Sequence, residues 1–127
     1  MPRPTRTPTG NVPEHSQVHH IDLEAAADEL LGRLSGNRRQ SESLAREQGV
    51  SVIMMAMEEG DAIKEHSADG VVTVQALRGS MSVTSLGETV DLLPSQMVLF
   101  QPGVRHSVQA VGRCVLLLTV TGGEPDV

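Results

Sequence analysis

From Ser41 onward the chain is divided by glycine and proline into short apolar runs, and this division most constrains its fold. The runs are SVIMMAME (51–58), VVTVQALR (71–78), SMSVTSL (80–86), ETVDLL (88–93), QMVLFQ (96–101) and CVLLLTV (114–120). Apolar runs of this length, bounded by turn residues, are typical of β-strands. Because a single helical pattern accompanies them, they predict an all-β sandwich or a closed barrel.

The helical pattern lies in IDLEAAADELLGRL (21–34). Its apolar residues recur at helical spacing and fall on one face: Leu23, Ala27, Leu30, Leu31 and Leu34. Asp22 can cap the start of the helix, and the Ser-Gly-Asn sequence at 35–37 can end it. We therefore expect a short helix over about 22–34 that packs against the sheet.

A chain of 127 residues suits a single domain with one modest core. We expect this domain to span 19–121, with the barrel over about 41–121. Residues 1–18 are rich in Pro, Thr, Arg and Gly without periodicity, which predicts a disordered N-terminal tail. The segment TGGEPDV (121–127) predicts a loose C-terminal end.

Composition argues against several classes of partner. The net charge of −6 disfavours nucleic acid, and one Phe with no Trp or Tyr leaves little to stack on bases or in a ligand pocket. No apolar run approaches the roughly 20 residues of a membrane-spanning helix, so we expect no membrane partner. The N-terminus has no apolar stretch typical of a secretory signal, and the lone Cys114 cannot form an internal disulfide. Both features fit a cytoplasmic protein.

Two stretches that each contain a histidine carry a family resemblance. Gly60, His66 and Gly79 stand where the first motif of the cupin family has its two outer glycines and its first histidine. QPGVRH (101–106) resembles the second motif, in which a Pro-Gly turn leads to the last histidine. The resemblance covers roughly residues 45–120 and is to small single-domain bacterial cupins. It implies a jelly-roll β-barrel, or double-stranded β-helix, preceded by one short N-terminal helix.

The resemblance also implies where a metal would bind. Cupin metal sites use three histidines and a carboxylate or amide, and His66 and His106 match the first and last ligand positions. The middle histidine position holds Ala68, and the carboxylate position holds Val72. The metal site is therefore degenerate. We expect either no cofactor or a weakly held divalent transition metal at the two histidines.

Alternation along residues 71–78 predicts an apolar barrel interior. Val72, Val74 and Ala76 share one face of the strand, which should point into the barrel. Gln75 should point to the opposite face, so we do not expect its amide to be a ligand.

An apolar interior with a few polar groups is the usual composition of a ligand pocket. We therefore expect a small, largely apolar ligand that carries one hydrogen-bonding or anionic group. The histidines would hold that group, and a neighbouring arginine could meet an anionic one. The expected ligand-binding residues are His66, Ala68, Val72, Val74, Arg105 and His106.

Three functions remain open from the sequence. The first is a non-enzymatic cupin that binds a small molecule, and the lack of the middle histidine and of the carboxylate favours it. The second is a metal-dependent cupin enzyme, of dioxygenase or isomerase type, that uses His66 and His106. The third is a structural dimer with no ligand. The sequence assigns no catalytic residue.

The run SVIMMAME (51–58) has apolar side chains on both alternating faces. One barrel wall can cover only one of these faces, so the helix or another subunit should cover the second. We predict a homodimer.

Overall fold

The computed structural model describes residues 18–36 and 38–122. The predicted N-terminal tail lies outside these residues except for Val18, and so does the C-terminal end beyond 122. The described elements are α1 (Leu23–Gly32), β1 (Gln40–Glu47), β2 (Val50–Met57), β3 (Ala62–His66), β4 (Val72–Arg78), β5 (Met81–Ser85), β6 (Glu88–Leu92), β7 (Met97–Phe100), β8 (His106–Ala110) and β9 (Cys114–Thr121).

The strands form two antiparallel sheets. The larger sheet has the order β1-β2-β9-β4-β7, and the smaller has the order β3-β8-β5-β6. Consecutive strands often lie in different sheets, which is the connectivity of a jelly roll. The predicted all-β jelly-roll barrel with one short helix is confirmed. Strands β6 and β7 each end one sheet, so their edges border the same open side of the barrel.

The main core lies between the two sheets. The row predicted along β4 is buried there, namely Val72, Val74 and Ala76. Val83 of the smaller sheet packs in the same cluster. Gln75 lies half-buried on the opposite face of β4, as its position in the alternation predicts.

A second core lies on the outer face of the larger sheet, under the helix. Ala26, Ala27 and Leu30 of α1 are buried in one cluster with Met54 and Ala56 of β2. Strand β2 is therefore buried on both faces, and the helix supplies the cover for its second face. No helix within residues 18–36 and 38–122 has the length and apolar character needed to cross a membrane.

The helix begins as predicted and ends early. The Ala25 N–H donates to Asp22 Oδ1 at 3.1 Å, so Asp22 is the N-cap. The helix ends at Gly32, and the Arg33 N–H donates to the Leu30 carbonyl at 3.1 Å. Glycine at this point lowers the helix propensity of the last turn. Of the predicted stop, residue 37 lies outside the described part of the chain.

Strands β1, β3 and β8 were not among the predicted strands. Strands β3 and β8 are both five residues long and carry few strand-forming side chains: AIKEH in one and HSVQA in the other. Their strand conformation depends on pairing with each other and with β5, a contact that local pattern does not reveal. These two strands carry the histidines.

Candidate functional site

A row of polar residues crosses the smaller sheet from edge to edge. His66 pairs with His106, His106 with Ser85, and Ser85 with Glu88 in the registers of the four strands. Residues directly opposite each other on neighbouring strands share one face of a sheet. Because His106 is only 1% exposed, its end of the row faces the barrel interior. At the other end Glu88 is exposed on the edge strand β6.

Three rings meet at the buried part of this row. The imidazole of His106 is stacked on the phenyl ring of Phe100, with ring centroids 4.2 Å apart and planes within 1° of parallel. The ring of His66 approaches His106 at 4.4 Å between centroids, with 62° between the planes. The only phenylalanine of the chain is therefore part of the site, whereas the composition predicted little aromatic stacking in a ligand pocket.

Each histidine makes one hydrogen bond to the backbone. Nδ1 of His66 lies 2.8 Å from the Lys64 carbonyl oxygen, and Nδ1 of His106 lies 3.2 Å from the Val104 carbonyl oxygen. Nε2 of His106 is buried and has no hydrogen-bond partner among the described residues. A buried polar atom without a partner is uncommon, and a water, an ion or a functional contact can account for it.

Burial lowers the pKa of His106, because the imidazolium form loses its hydration. The Val104 carbonyl acts in the opposite direction by stabilising the protonated ring, and the neighbouring His66 lowers the pKa further. His106 is therefore a neutral imidazole at neutral pH.

An apolar cleft of about 320 Å³ opens beside this ring cluster. It lies between the β5–β6 hairpin and β7, where the edge strands of the two sheets face each other. Its lining consists of Val83, Ser85, Leu86, Glu88, Val90, Val98, Leu99, Phe100, Gln101 and Val104. Phe100 and Ser85 belong both to the cleft and to the surroundings of His106, so the two features form one site.

The tip of the β5–β6 hairpin is strained at the cleft. Leu86 and Gly87 form a two-residue loop in which both residues have positive φ, at 53° and 78°. The left-handed region suits glycine or asparagine and is costly for leucine. Leu86 is nevertheless present there, 85% exposed, and its side chain lines the cleft.

The structure brings together only part of the residue set expected from the sequence. His66 and His106 are in contact. Val72 lies beside Phe100 in the β4–β7 register, and it is buried in the core, as is Val74. Ala68 is partly buried against the same core.

Arg105, which was expected to meet an anionic ligand, forms an ion pair with Glu65. Its Nε lies 3.2 Å from Glu65 Oε1, and both side chains are 62% exposed. The guanidinium thus makes a solvated ion pair on the surface.

Sequence reasoning missed most of the cleft. Val83, Val90, Val98 and Val104 come from four separate segments, and only the pairing of the sheets brings them together. Phe100 could have indicated the cleft from the sequence, because it is the only aromatic residue among Phe, Trp and Tyr in the chain and it directly precedes the second motif.

The residues present do not make a complete metal centre. Within the described parts of the chain, no group of three or more His, Cys, Asp or Glu residues is placed to hold a metal ion. His66 and His106 offer two imidazole nitrogens, whereas catalytic metals usually have at least three protein ligands. Cys114 is buried, and burial raises the pKa of its thiol to about 11, so it is not a thiolate nucleophile at neutral pH.

The architecture is shared with solved structures, including cupins. A cupin superfamily protein from Desulfitobacterium hafniense is 18% identical, with 91% of this chain and 98% of that protein covered and a TM-score of 0.69. A conserved protein of unknown function from Streptococcus pyogenes is 23% identical, with 96% and 100% covered and a TM-score of 0.70. An RmlC-like cupin from Shewanella frigidimarina is 15% identical, with 72% and 82% covered and a TM-score of 0.66.

No protein-family model matches the chain, and no curated protein matches its sequence. At these identities the structural similarity establishes the fold alone. The chain has the cupin fold, as the two motifs indicated.

Proposed function

We propose that this protein binds a small, largely apolar molecule in the cleft between the β5–β6 hairpin and β7, with the polar group of the ligand next to the histidine pair. One observation carries the proposal: an apolar cleft of about 320 Å³ adjoins a buried imidazole whose Nε2 has no hydrogen-bond partner within residues 18–36 and 38–122. Ligand sites usually have volumes of about 300–1,000 Å³ and combine an apolar wall with a few polar groups.

The polar row connects the cleft to the buried histidine. Ser85 lines the cleft, and its partner in the next strand is His106. Neighbouring strands lie about 4.8 Å apart, so a ligand beside Ser85 is roughly one strand away from the imidazole. The Ser85 hydroxyl donates to the Arg105 carbonyl at 2.8 Å, which fixes the side chain at the boundary of the cleft.

The wall of the cleft supplies the attraction for the apolar part of the ligand. Val83, Val98 and Val104 line it together with Phe100. Each Å² of apolar surface removed from water contributes about 25 cal/mol, so a small hydrocarbon group can bind there without a strong polar contact.

A metal-dependent reaction at His66 and His106 is the alternative function. The observation in its favour is that the two rings are in contact and that each uses Nδ1 for the backbone, which leaves Nε2 for a metal. Further donors would have to come from water or from the substrate, because the described residues provide two nitrogens. Elemental analysis of tag-free protein distinguishes the alternatives. The binding proposal expects well under one equivalent of metal, whereas a stoichiometric metal that is lost in His66→Ala would favour the enzyme.

A thermal-shift screen of phenols, carboxylates and short lipidic acids tests the binding proposal. Hits are then compared in two variants that place a charge on similarly exposed valines. Val90 lines the cleft and is 50% exposed, whereas Val111 lies outside the cleft and is 52% exposed. Val90→Asp should reduce the shift and Val111→Asp should preserve it. If nothing shifts the wild type, or if both variants respond alike, the proposal fails and a structural dimer without a ligand is favoured.

A further inference from the structure

We propose that the site selects a ligand whose polar group is a neutral hydroxyl, which donates a hydrogen bond to Nε2 of His106, and that it rejects the corresponding carboxylate. This inference rests on the proposed function, because it specifies the ligand of the same cleft. It narrows the expectation from the sequence, which left a hydrogen-bonding and an anionic group equally open.

The hydrogen bonds of the two histidines determine which nitrogen carries the proton. A backbone carbonyl oxygen can only accept, so Nδ1 donates in both the His66–Lys64 and the His106–Val104 contacts. In a neutral imidazole that donates from Nδ1, Nε2 is an acceptor. The neutral ring of His106 therefore offers a lone pair at Nε2, and the ligand must bring the hydrogen.

Because Nε2 of His106 is buried, a ligand group next to it has to donate a hydrogen bond. The atom is already out of contact with solvent and unpaired among the described residues, so a hydroxyl that donates to it satisfies both partners. A carboxylate oxygen at the same place would face a lone pair with no hydrogen between them. It would also lose its hydration in an apolar cleft without compensation.

The charges around the cleft act in the same direction. Glu88 is the charged residue among the described residues that line the cleft. Its carboxylate would repel a carboxylate of the ligand. Arg105, the residue expected to meet an anion, pairs with Glu65 on the surface instead. An ammonium group would donate to Nε2, but the apolar lining does not replace its hydration.

The ligand approaches the imidazole past Phe100. Phe100 lines the cleft, and its phenyl ring is stacked on the imidazole of His106. Phe100 ends the edge strand β7, which pairs with β4 on one side within the described chain. The hydroxyl therefore reaches Nε2 at the edge of the phenyl ring or after the ring moves aside.

Three probes of similar shape test the inference: p-cresol, p-xylene and p-toluate, titrated by calorimetry at pH 8. We expect p-cresol to bind about two- to tenfold more tightly than p-xylene, which is the effect of one hydrogen bond to a buried acceptor. We expect p-toluate, ionised at this pH, to bind more weakly than either.

The variant His106→Phe keeps a ring in the stack and removes the acceptor. In it, p-cresol should lose its advantage over p-xylene, while His20→Phe, a change at an exposed histidine outside the cleft, should leave the advantage intact. In the wild type, two-bond ¹H–¹⁵N NMR correlations should place the proton of His106 on Nδ1. This measurement stands even if His106→Phe does not fold.

The outcomes separate the two proposals. If p-xylene binds as tightly as p-cresol, or if p-toluate binds best, the hydroxyl inference is overturned and the cleft remains a binding site. A proton on Nε2 of His106 also overturns the inference. If none of the three probes binds, the proposed function is overturned and the inference with it.

Discussion

At the scale of single residues, Ser95 has a backbone conformation that favours glycine. Its φ is +76°, in the left-handed region. Its N–H donates to the Ala76 carbonyl at 2.8 Å, which holds the turn before β7 against β4. A side chain in the left-handed region costs about 1–2 kcal/mol relative to glycine, part of which glycine loses again through its greater unfolded entropy.

We therefore expect Ser95→Gly to raise the free energy of unfolding by about 0.5–1 kcal/mol. Urea denaturation measures it. The matched control is Ser41→Gly in β1, where φ is ordinary and glycine should instead destabilise the protein. A Ser95→Gly variant that is less stable than the wild type would show that the serine side chain contributes to the turn.

His106 should make stability depend on pH. Burial, together with His66, holds its pKa below the ordinary value of 6.5, so in the unfolded chain the imidazole binds a proton at a higher pH than in the folded protein. The unfolded state then binds more protons as pH falls below about 6.5, and the stability from this group, complete above that pH, is progressively lost.

We expect the thermal unfolding midpoint to fall between about pH 7.5 and pH 5, and to fall less in His106→Phe, which cannot titrate. The comparison of the two slopes removes the contribution of the other titrating groups. Parallel slopes in wild type and variant would mean that His106 is protonated equally easily in the folded and unfolded states.

At the scale of elements, the β5–β6 hairpin combines a strained turn with a binding surface. Leu86 has a left-handed backbone, which is costly for leucine, and it is exposed at the border of the cleft. Asparagine is favoured at this position of a two-residue turn. Leu86→Asn should therefore stabilise the fold by about 1 kcal/mol and weaken the binding of apolar ligands.

The control for this variant is Leu93→Asn. Leu93 is also exposed, but it has ordinary φ and lies outside the cleft, so neither stability nor binding should change much. Denaturation and calorimetry with p-xylene measure the two effects. If Leu86→Asn binds the probe as well as the wild type does, the hairpin tip is not part of the site.

The elements also show what the sequence could predict. The helix and the apolar row of β4 follow from the local spacing of apolar residues, and both were predicted. Strands β3 and β8 were missed because their short, mixed sequences form strands only through long-range pairing. The two histidines could be named from the motifs, but the cleft could not, since it arises where the edges of two sheets meet.

At the scale of the whole molecule, the homodimer remains a prediction, but a different surface now supports it. The apolar outer face of β2, which suggested it, is covered by the helix of the same chain. Its support now comes from the edge strand β7, where Met97 and Leu99 are 57% and 53% exposed. Exposed apolar side chains on an edge strand favour pairing with another chain.

Sedimentation at micromolar concentration should give a dimer, and Leu99→Lys should shift it toward monomer. Leu93→Lys, at a similarly exposed leucine outside the strand, is the matched control. A wild-type monomer under these conditions would contradict the prediction.

Binding of a small molecule between the two sheet edges can be tested by ¹H–¹⁵N NMR titration with the strongest hit of the ligand screen. We expect saturable shifts at Val83, Val98, Phe100 and His106. Shifts confined to the acidic cleft at Glu58–Asp61, on the other hand, or no saturable shifts at all, would contradict it.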